Sequence, residues 1–186
     1  MKTEHQTGFT LIELMVAMAV ATVVLTVAVP SFQEFTRNNR LATQTNQMVT
    51  ALNLARSEAV KRGVRVTLCT SADISAEAPS CTESGDWEQG WVVFVDNTHM
   101  AGNVPGAIDG TDERLRVFEP LSGNARLAGG SNFQSWISYL PSGTSRGMIG
   151  GNADGTFTLC QGDSGSKGKK ILINKTGRAR VEDTTC

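Results

Sequence analysis

Phe9-Thr10-Leu11-Ile12-Glu13-Leu14-Met15-Val16-Ala17-Met18-Ala19-Val20-Ala21-Thr22-Val23-Val24-Leu25-Thr26-Val27-Ala28-Val29 decides how this chain is read, and Glu13 is its single charged residue. As a helix, a segment of this length spans about 31 Å, enough to cross the hydrocarbon core of a bilayer. The polar stretch Met1 to Gly8 comes before it and no Ala-x-Ala site comes after. An ordinary secretory signal has a shorter apolar region with a small-residue cleavage site behind it. Here the polar leader is instead the part expected to be removed. A lone acid in an apolar helix costs about 2.5 to 3.5 kcal/mol on insertion scales. Glu13 therefore needs a partner, or a position near the interface from which it can snorkel.

Downstream of Pro30, Leu41, Met48, Leu52, Ala55 and Ala59 recur at helical spacing and define one apolar face. Gln44, Arg56 and Lys61 are expected on the opposite, polar face, and Gly63 is expected to stop the helix. After Gly63 the period changes. Val64, Val66 and Leu68 alternate with Arg65, Thr67 and Cys69, and short strands are expected at Trp91–Val95, Leu115–Phe118, Trp136–Leu140, Thr156–Cys160 and Lys170–Asn174. Gly-, Asn- and Asp-containing connectors separate them, as in hairpins and loops. No strand-helix alternation follows, which argues against a doubly wound parallel sheet. The expected fold class is α+β, one long helix laid across antiparallel sheet.

With 186 residues the chain can build one domain with a substantial core. A formal net charge of -1 provides no global attraction for nucleic acid or anionic lipid, so such a partner needs a local patch. The four cysteines, Cys69, Cys81, Cys160 and Cys186, form no CxxC or Cys/His cluster, so neither a zinc site nor a cofactor is expected. An even number in this pattern suits two disulfides in an oxidising compartment such as the bacterial periplasm. The sequence leaves the pairing open. Sequential bridges, Cys69 with Cys81 and Cys160 with Cys186, close the smallest loops and are the expectation, with buried free thiols as the alternative.

Gly8-Phe9-Thr10-Leu11-Ile12-Glu13 resembles the prepilin signature: Gly before the cut, Phe after it, and Glu five residues into the mature chain. The resemblance implies cleavage between Gly8 and Phe9 by a prepilin peptidase and N-methylation of Phe9. It also implies that Glu13 pairs with the new amine on Phe9 of a neighbouring subunit, setting the register as helices bundle. The resemblance further implies that Pro30 is tolerated as a bend or a locally melted stretch in one long continuous helix. Ala55-Arg56-Ser57-Glu58-Ala59-Val60-Lys61-Arg62-Gly63 leading into Val66-Thr67-Leu68-Cys69, then Trp87-Glu88-Gln89-Gly90-Trp91-Val92-Val93-Phe94-Val95-Asp96, resemble the GspH/FimT group of minor pilins and pseudopilins. The implied organisation is a leader over 1–8, a transmembrane and assembly helix over 9–30, its amphipathic continuation over 31–63, and a periplasmic β-rich domain over 64–186. Implied too are an inner-membrane anchor before assembly and other pilins or pseudopilins as partners. The role suggested is a low-abundance minor pilin that primes or tips a type IV pilus, with an H-type pseudopilin of a type II secretion system as the alternative. The region from Asn97 to Gly130 matches nothing in this group and reads as a surface loop.

Near the end, Asn174-Lys175-Thr176-Gly177 has the chemistry of a hairpin turn. Alternation along a strand then places Arg178 and Arg180 on one face, with Ala179 and Val181 toward the core. Between Cys160 and Cys186 the bases Lys167, Lys169, Lys170, Lys175, Arg178 and Arg180 outnumber Asp163, Glu182 and Asp183. A disulfide-closed loop of that character suits phosphate oxygens, which Arg can bind bidentately and Lys can attract as a point charge. Gly177-Arg178-x-Arg180 resembles the motif by which FimT-type pilins capture DNA, which implies non-sequence-specific binding of double-stranded DNA during natural transformation. The plainer alternative is a solvated hairpin end.

Other chemistries have less support. Gly162-Asp163-Ser164-Gly165 resembles the surroundings of a serine nucleophile, but only His99 remains after leader removal and nothing near it suggests a base, so no enzyme is expected. Asp96, Asp109, Asp112 and Glu113 lack the ordered ligand spacing of a calcium loop. Asn174-Lys175-Thr176 matches a glycosylation sequon that turn chemistry already explains.

Overall fold

A computed structural model describes residues 9–82, 86–97, 105–149, 153–162 and 164–186. One helix, α1 (Leu11–Arg62), continues through Pro30 for 52 residues. Its first turn opens on a capping box: the Glu13 amide donates to Thr10 Oγ1 (3.3 Å) and the Thr10 amide to Glu13 Oε2 (3.5 Å). At the other end Gly63 takes φ +68° and its N–H reaches the Ala59 carbonyl at 3.0 Å, the left-handed stop that a glycine permits.

The contacts divide the chain into two compact units, 1–39 and 40–186. In the first, the helical side chains from Leu11 to Phe35 are all exposed. Its apolar stretch, mean hydropathy 2.4, is long and apolar enough to cross a membrane.

In the second unit the helix buries Leu41, Gln44, Thr45, Met48, Ala51, Leu52, Ala55 and Ala59. The three alanines belong to the main core cluster. Gln44 thus corrects the sequence expectation. It is buried, and its Nε2 donates to the Ser122 carbonyl at 2.8 Å, so the donor end of the amide is met by a hydrogen bond rather than by solvent.

The strands are β1 (Val66–Thr70), β2 (Trp91–Val95), β3 (Glu113–Phe118), β4 (Ala125–Gly129), β5 (Trp136–Tyr139), β6 (Ser145–Arg146), β7 (Gly155–Gln161), β8 (Lys167–Ile173) and β9 (Ala179–Thr185). They form two sheets, ordered β3-β2-β1-β5-β6 and β4-β7-β8-β9, with antiparallel pairing throughout. The fold is α+β, as the periodicities predict. Strands β4 and β6 were not expected, and β4 corrects the reading of 97–130 as loop: Leu127 on β4 is 2 % exposed and pairs with Leu159.

Every residue of β1 and β2 is buried. The main core lies on one face, around Val66, Leu68, Trp91 and Val93, and a small second cluster of Cys69, Val92 and Phe94, with Trp136 against it, lies on the other. Thr67 and Cys69, which alternate as though facing water, are covered instead. Thr67 Oγ1 compensates by donating to Asp96 Oδ2 at 2.7 Å. In the main core Phe157 is the aromatic centre, edge-on to Trp87 (5.0 Å) and stacked on Phe133 (5.5 Å). The Trp87 indole donates to the carbonyls of Phe133 and Gln134, both at 2.9 Å, so its polar tip is satisfied while its rings stay dry.

Candidate functional site

Two regions carry the sequence-predicted site residues. At the N-terminus, Gly8 lies outside the described residues. Phe9 is 88 % exposed, and Glu13 occupies the first turn of α1 as the acid of the capping box. The sequence signal of that capping role is Thr-x-x-Glu ahead of an apolar run.

The second region is the β8–β9 hairpin. Ile171 and Ile173 point into the core, and the register sets Leu172 opposite Arg180 and Lys170 opposite Glu182 on the outer face. Gly177 closes the turn with φ +76°, its N–H donating to the Asn174 carbonyl at 2.8 Å. Asn174 Oδ1 accepts from the Arg178 amide (2.9 Å) and from the Thr176 hydroxyl (2.7 Å). The Asn174 side chain thus serves the turn.

Arg178 and Arg180 both emerge exposed, as strand alternation predicts. Val181 does not turn into the core: it is 41 % exposed, because β9 is the sheet's edge and its inward side is only partly covered. The bases differ in what holds them. The Arg180 guanidinium is paired with Glu182, and Lys169 Nζ with Asp183 at 2.5 Å. Lys170, Lys175 and Arg178 make no ion pair with any described residue. An open groove of about 940 Å³ runs along this face, with Thr156, Leu172, Lys175, Arg178 and Arg180 among its walls.

Two residues that support the hairpin escaped the sequence reading. Arg56, expected on the solvent face of the helix, instead donates from Nε to the Gly143 carbonyl (3.0 Å) and from Nη2 to the Thr176 carbonyl (3.3 Å). Ser145, buried on β6, holds its one hydroxyl proton between the carbonyls of Ala153 (2.6 Å) and Asn174 (3.1 Å). Arg56 falls within the Ala55–Gly63 stretch that resembles the GspH/FimT group, but nothing local in the sequence gives its partners, and no motif marks Ser145.

The disulfides join Cys69 to Cys81 and Cys160 to Cys186. The first belongs to the second cluster of the five-stranded sheet, and the second closes the segment carrying the hairpin. Among the described residues no three His, Cys, Asp or Glu side chains gather as metal ligands. Asp96 is buried and accepts from Thr67 and from the Gly106 amide (3.1 Å), Asp112 accepts from the amides of Asn97 (2.8 Å) and Asp109 (3.2 Å), and Glu113 pairs with Arg62. Burial pushes the Asp96 carboxyl above the usual carboxylate range, while Thr67 and Gly106 oppose that shift. Ser164 sits exposed in the β7–β8 connection, and Asp163 and His99 lie outside the described residues.

A long helix, apolar and exposed at its start, running into antiparallel sheets defines the type IV pilin-like class of α+β proteins. The model of the type II transport protein GspH family matches residues 44–177, and a prokaryotic N-terminal methylation motif matches residues 5–29. The chain belongs to the GspH family. Two fimbrial proteins of Pseudomonas aeruginosa are each 27 % identical over 126 residues, covering 64 % of this chain and 73 % of the relative. In fold it is similar to the type IV minor pilin FimU of Pseudomonas aeruginosa. One crystal form gives a TM-score of 0.57 at 20 % identity, with 80 % of this chain and 92 % of FimU covered. A second form gives 0.53 at 19 %, with 76 % and 92 % covered. The methylation motif implies processing by a prepilin peptidase and assembly with other pilins. The GspH match ends at Gly177, one residue short of Arg178.

Proposed function

We propose that the chain is a minor pilin, incorporated at low abundance to prime or tip a type IV pilus. The peptidase cuts between Gly8 and Phe9, the helix from Phe9 to Pro30 waits in the inner membrane with the remainder in the periplasm, and Glu13 then pairs with the Phe9 amine of a neighbouring subunit. The observation that carries this reading is the exposed apolar helix whose only charge between Phe9 and Val29 is Glu13. A cation that meets it as the helices bundle would offset its desolvation. Mass spectrometry of the mature chain should find methylated Phe9, and Glu13→Gln should remove the subunit from sheared pili. An intact Met1 in cells with the peptidase, or undiminished incorporation of the variant, contradicts this account. The family's description favours a second reading, a pseudopilin of a type II secretion system. On that reading, deletion abolishes secretion and leaves pili intact.

The same subunit grips double-stranded DNA through the C-terminal hairpin. Support comes from Arg178, Lys175 and Lys170, which lie outside any ion pair among the described residues on a turn that Gly177 fixes. Contacts of this kind read phosphates and not base edges, so binding should be indifferent to sequence and fall steeply with salt. Gel retardation with the full mature chain in non-ionic detergent tests it. Binding unaltered by Arg178→Ala plus Arg180→Ala leaves the hairpin as a solvated end.

A further inference from the structure

Arg56 projects from the helix into the junction of two turns. The carbonyl of Gly143, accepting from Nε at 3.0 Å, belongs to the turn between β5 and β6 of the five-stranded sheet. The carbonyl of Thr176, accepting from Nη2 at 3.3 Å, belongs to the tip of the β8–β9 hairpin of the four-stranded sheet. One planar guanidinium thus ties the helix to the turns of both sheets, using the fixed fork of donors that lysine lacks.

The tip is held from two other directions. Ser145 Oγ donates to the Asn174 carbonyl at 3.1 Å. Gly177 is seated so tightly that a Cβ there would lie 2.1 Å from the Gly143 carbonyl oxygen and 2.9 Å from the Tyr139 ring. A five-residue connection, 174–178, carrying the long basic side chains of Lys175 and Arg178 would ordinarily sample many arrangements, and ordering it on binding would cost affinity. Here that ordering is done in advance, by groups behind the turn whose donors already face carbonyls.

We propose that Arg56 is a positioning residue for the hairpin tip: it fixes the backbone that presents Lys175 and Arg178 to a polyanion without itself touching phosphate. The link to a polyanion rests on the DNA reading above, whereas the fixing of the tip stands independently of it.

The test uses the full mature chain in non-ionic detergent, comparing Arg56→Gln and Arg56→Lys with wild type. Hydrogen exchange at the Gly177 and Arg178 amides, both bonded to Asn174, reports the tip, and a short DNA duplex titrated at several salt concentrations reports the grip. Arg56→Gln should speed exchange at those two amides about tenfold and weaken duplex binding by about the same factor, since an ordered tip is loosened. The salt slope should stay at the wild-type value. Arg178→Ala, by contrast, should lower that slope by about 0.9, one phosphate contact fewer. Arg56→Lys should fall between wild type and Gln and guards against a Gln variant that does not fold. Wild-type exchange at the tip in both variants overturns the positioning role whether or not DNA binds. A slope that falls with affinity in Arg56→Gln overturns it too, by making Arg56 a phosphate contact. A wild-type chain that ignores the duplex overturns the DNA reading, and the exchange data then decide the fixing of the tip alone.

Discussion

Cys186 closes its disulfide with Cys160 directly against Gly168, the β8 residue that faces Cys160 in the ladder. Cys186 lies one residue beyond β9 and folds back, its N–H donating to the Ser166 carbonyl at 2.9 Å. Its sulfur then sits 2.5 Å from where a side chain on Gly168 would begin. The glycine makes room for the bridge.

Gly168→Ala should therefore hinder the bond's formation, since the Leu159 carbonyl oxygen lies 2.9 Å from the same Cβ position and leaves little freedom on the other side. Counting alkylated thiols by mass spectrometry should show free Cys160 and Cys186 in the variant and none in wild type. Replacing both cysteines by serine releases a bridge of sequence separation 26 and should lower stability by about 3 kcal/mol.

Glu182 engages the Arg180 guanidinium and faces Lys170 across the ladder. If the hairpin grips phosphate, Glu182→Gln should strengthen duplex binding severalfold at low salt, because it frees one cation and removes one like-charged neighbour of the ligand. Fluorescence anisotropy with labelled duplex checks this, and weaker binding would place the contact elsewhere.

Asp96 is held at a raised pKa chiefly by burial. The folded chain therefore retains this proton to higher pH than the unfolded chain, so the favourable contribution is full below the unfolded pKa and lost as pH rises through the folded one. Both donors to Asp96, the Thr67 hydroxyl and the Gly106 amide, meet the same oxygen, Oδ2, which the amide oxygen of Asn could replace. Asp96→Asn should consequently gain in melting temperature relative to wild type between acid and neutral pH. A gap that shrinks as pH rises would show the carboxylate to be preferred.

Phe157 is fully buried between Trp87 and Phe133. Phe157→Ala should cost about 3 to 5 kcal/mol, the range for an aromatic removed from a packed core. Thermal unfolding followed through tryptophan fluorescence measures it. A loss below about 1 kcal/mol would mean the neighbouring rings collapse into the space.

The match between sequence and structure follows the range of the interactions involved. Helix spacing picked out Leu41, Met48, Leu52, Ala55 and Ala59 as a buried face because burial repeats with the helix's own geometry. The same logic failed at Gln44, whose burial depends on the Ser122 carbonyl, 78 residues away. Alternation found β1 but not its second cover, since what lies over Cys69 and Thr67 comes from other segments. Strand β6 is too short, at two residues, to show any period.

The chain's own order of residues determined the apolar helix with its lone Glu13, the stop at Gly63, the change from helical to strand period and the Gly177 turn, because transfer from water and backbone φ preferences act on neighbours along the chain. Tertiary structure alone decided that Arg56 abandons the solvent face for carbonyls 87 and 120 residues distant, and that the bases of the last hairpin divide into paired Arg180 and Lys169 and outward Arg178, Lys175 and Lys170. Those outcomes depend on which acceptors folding carries within about 3 Å of a donor, a proximity that no local pattern encodes.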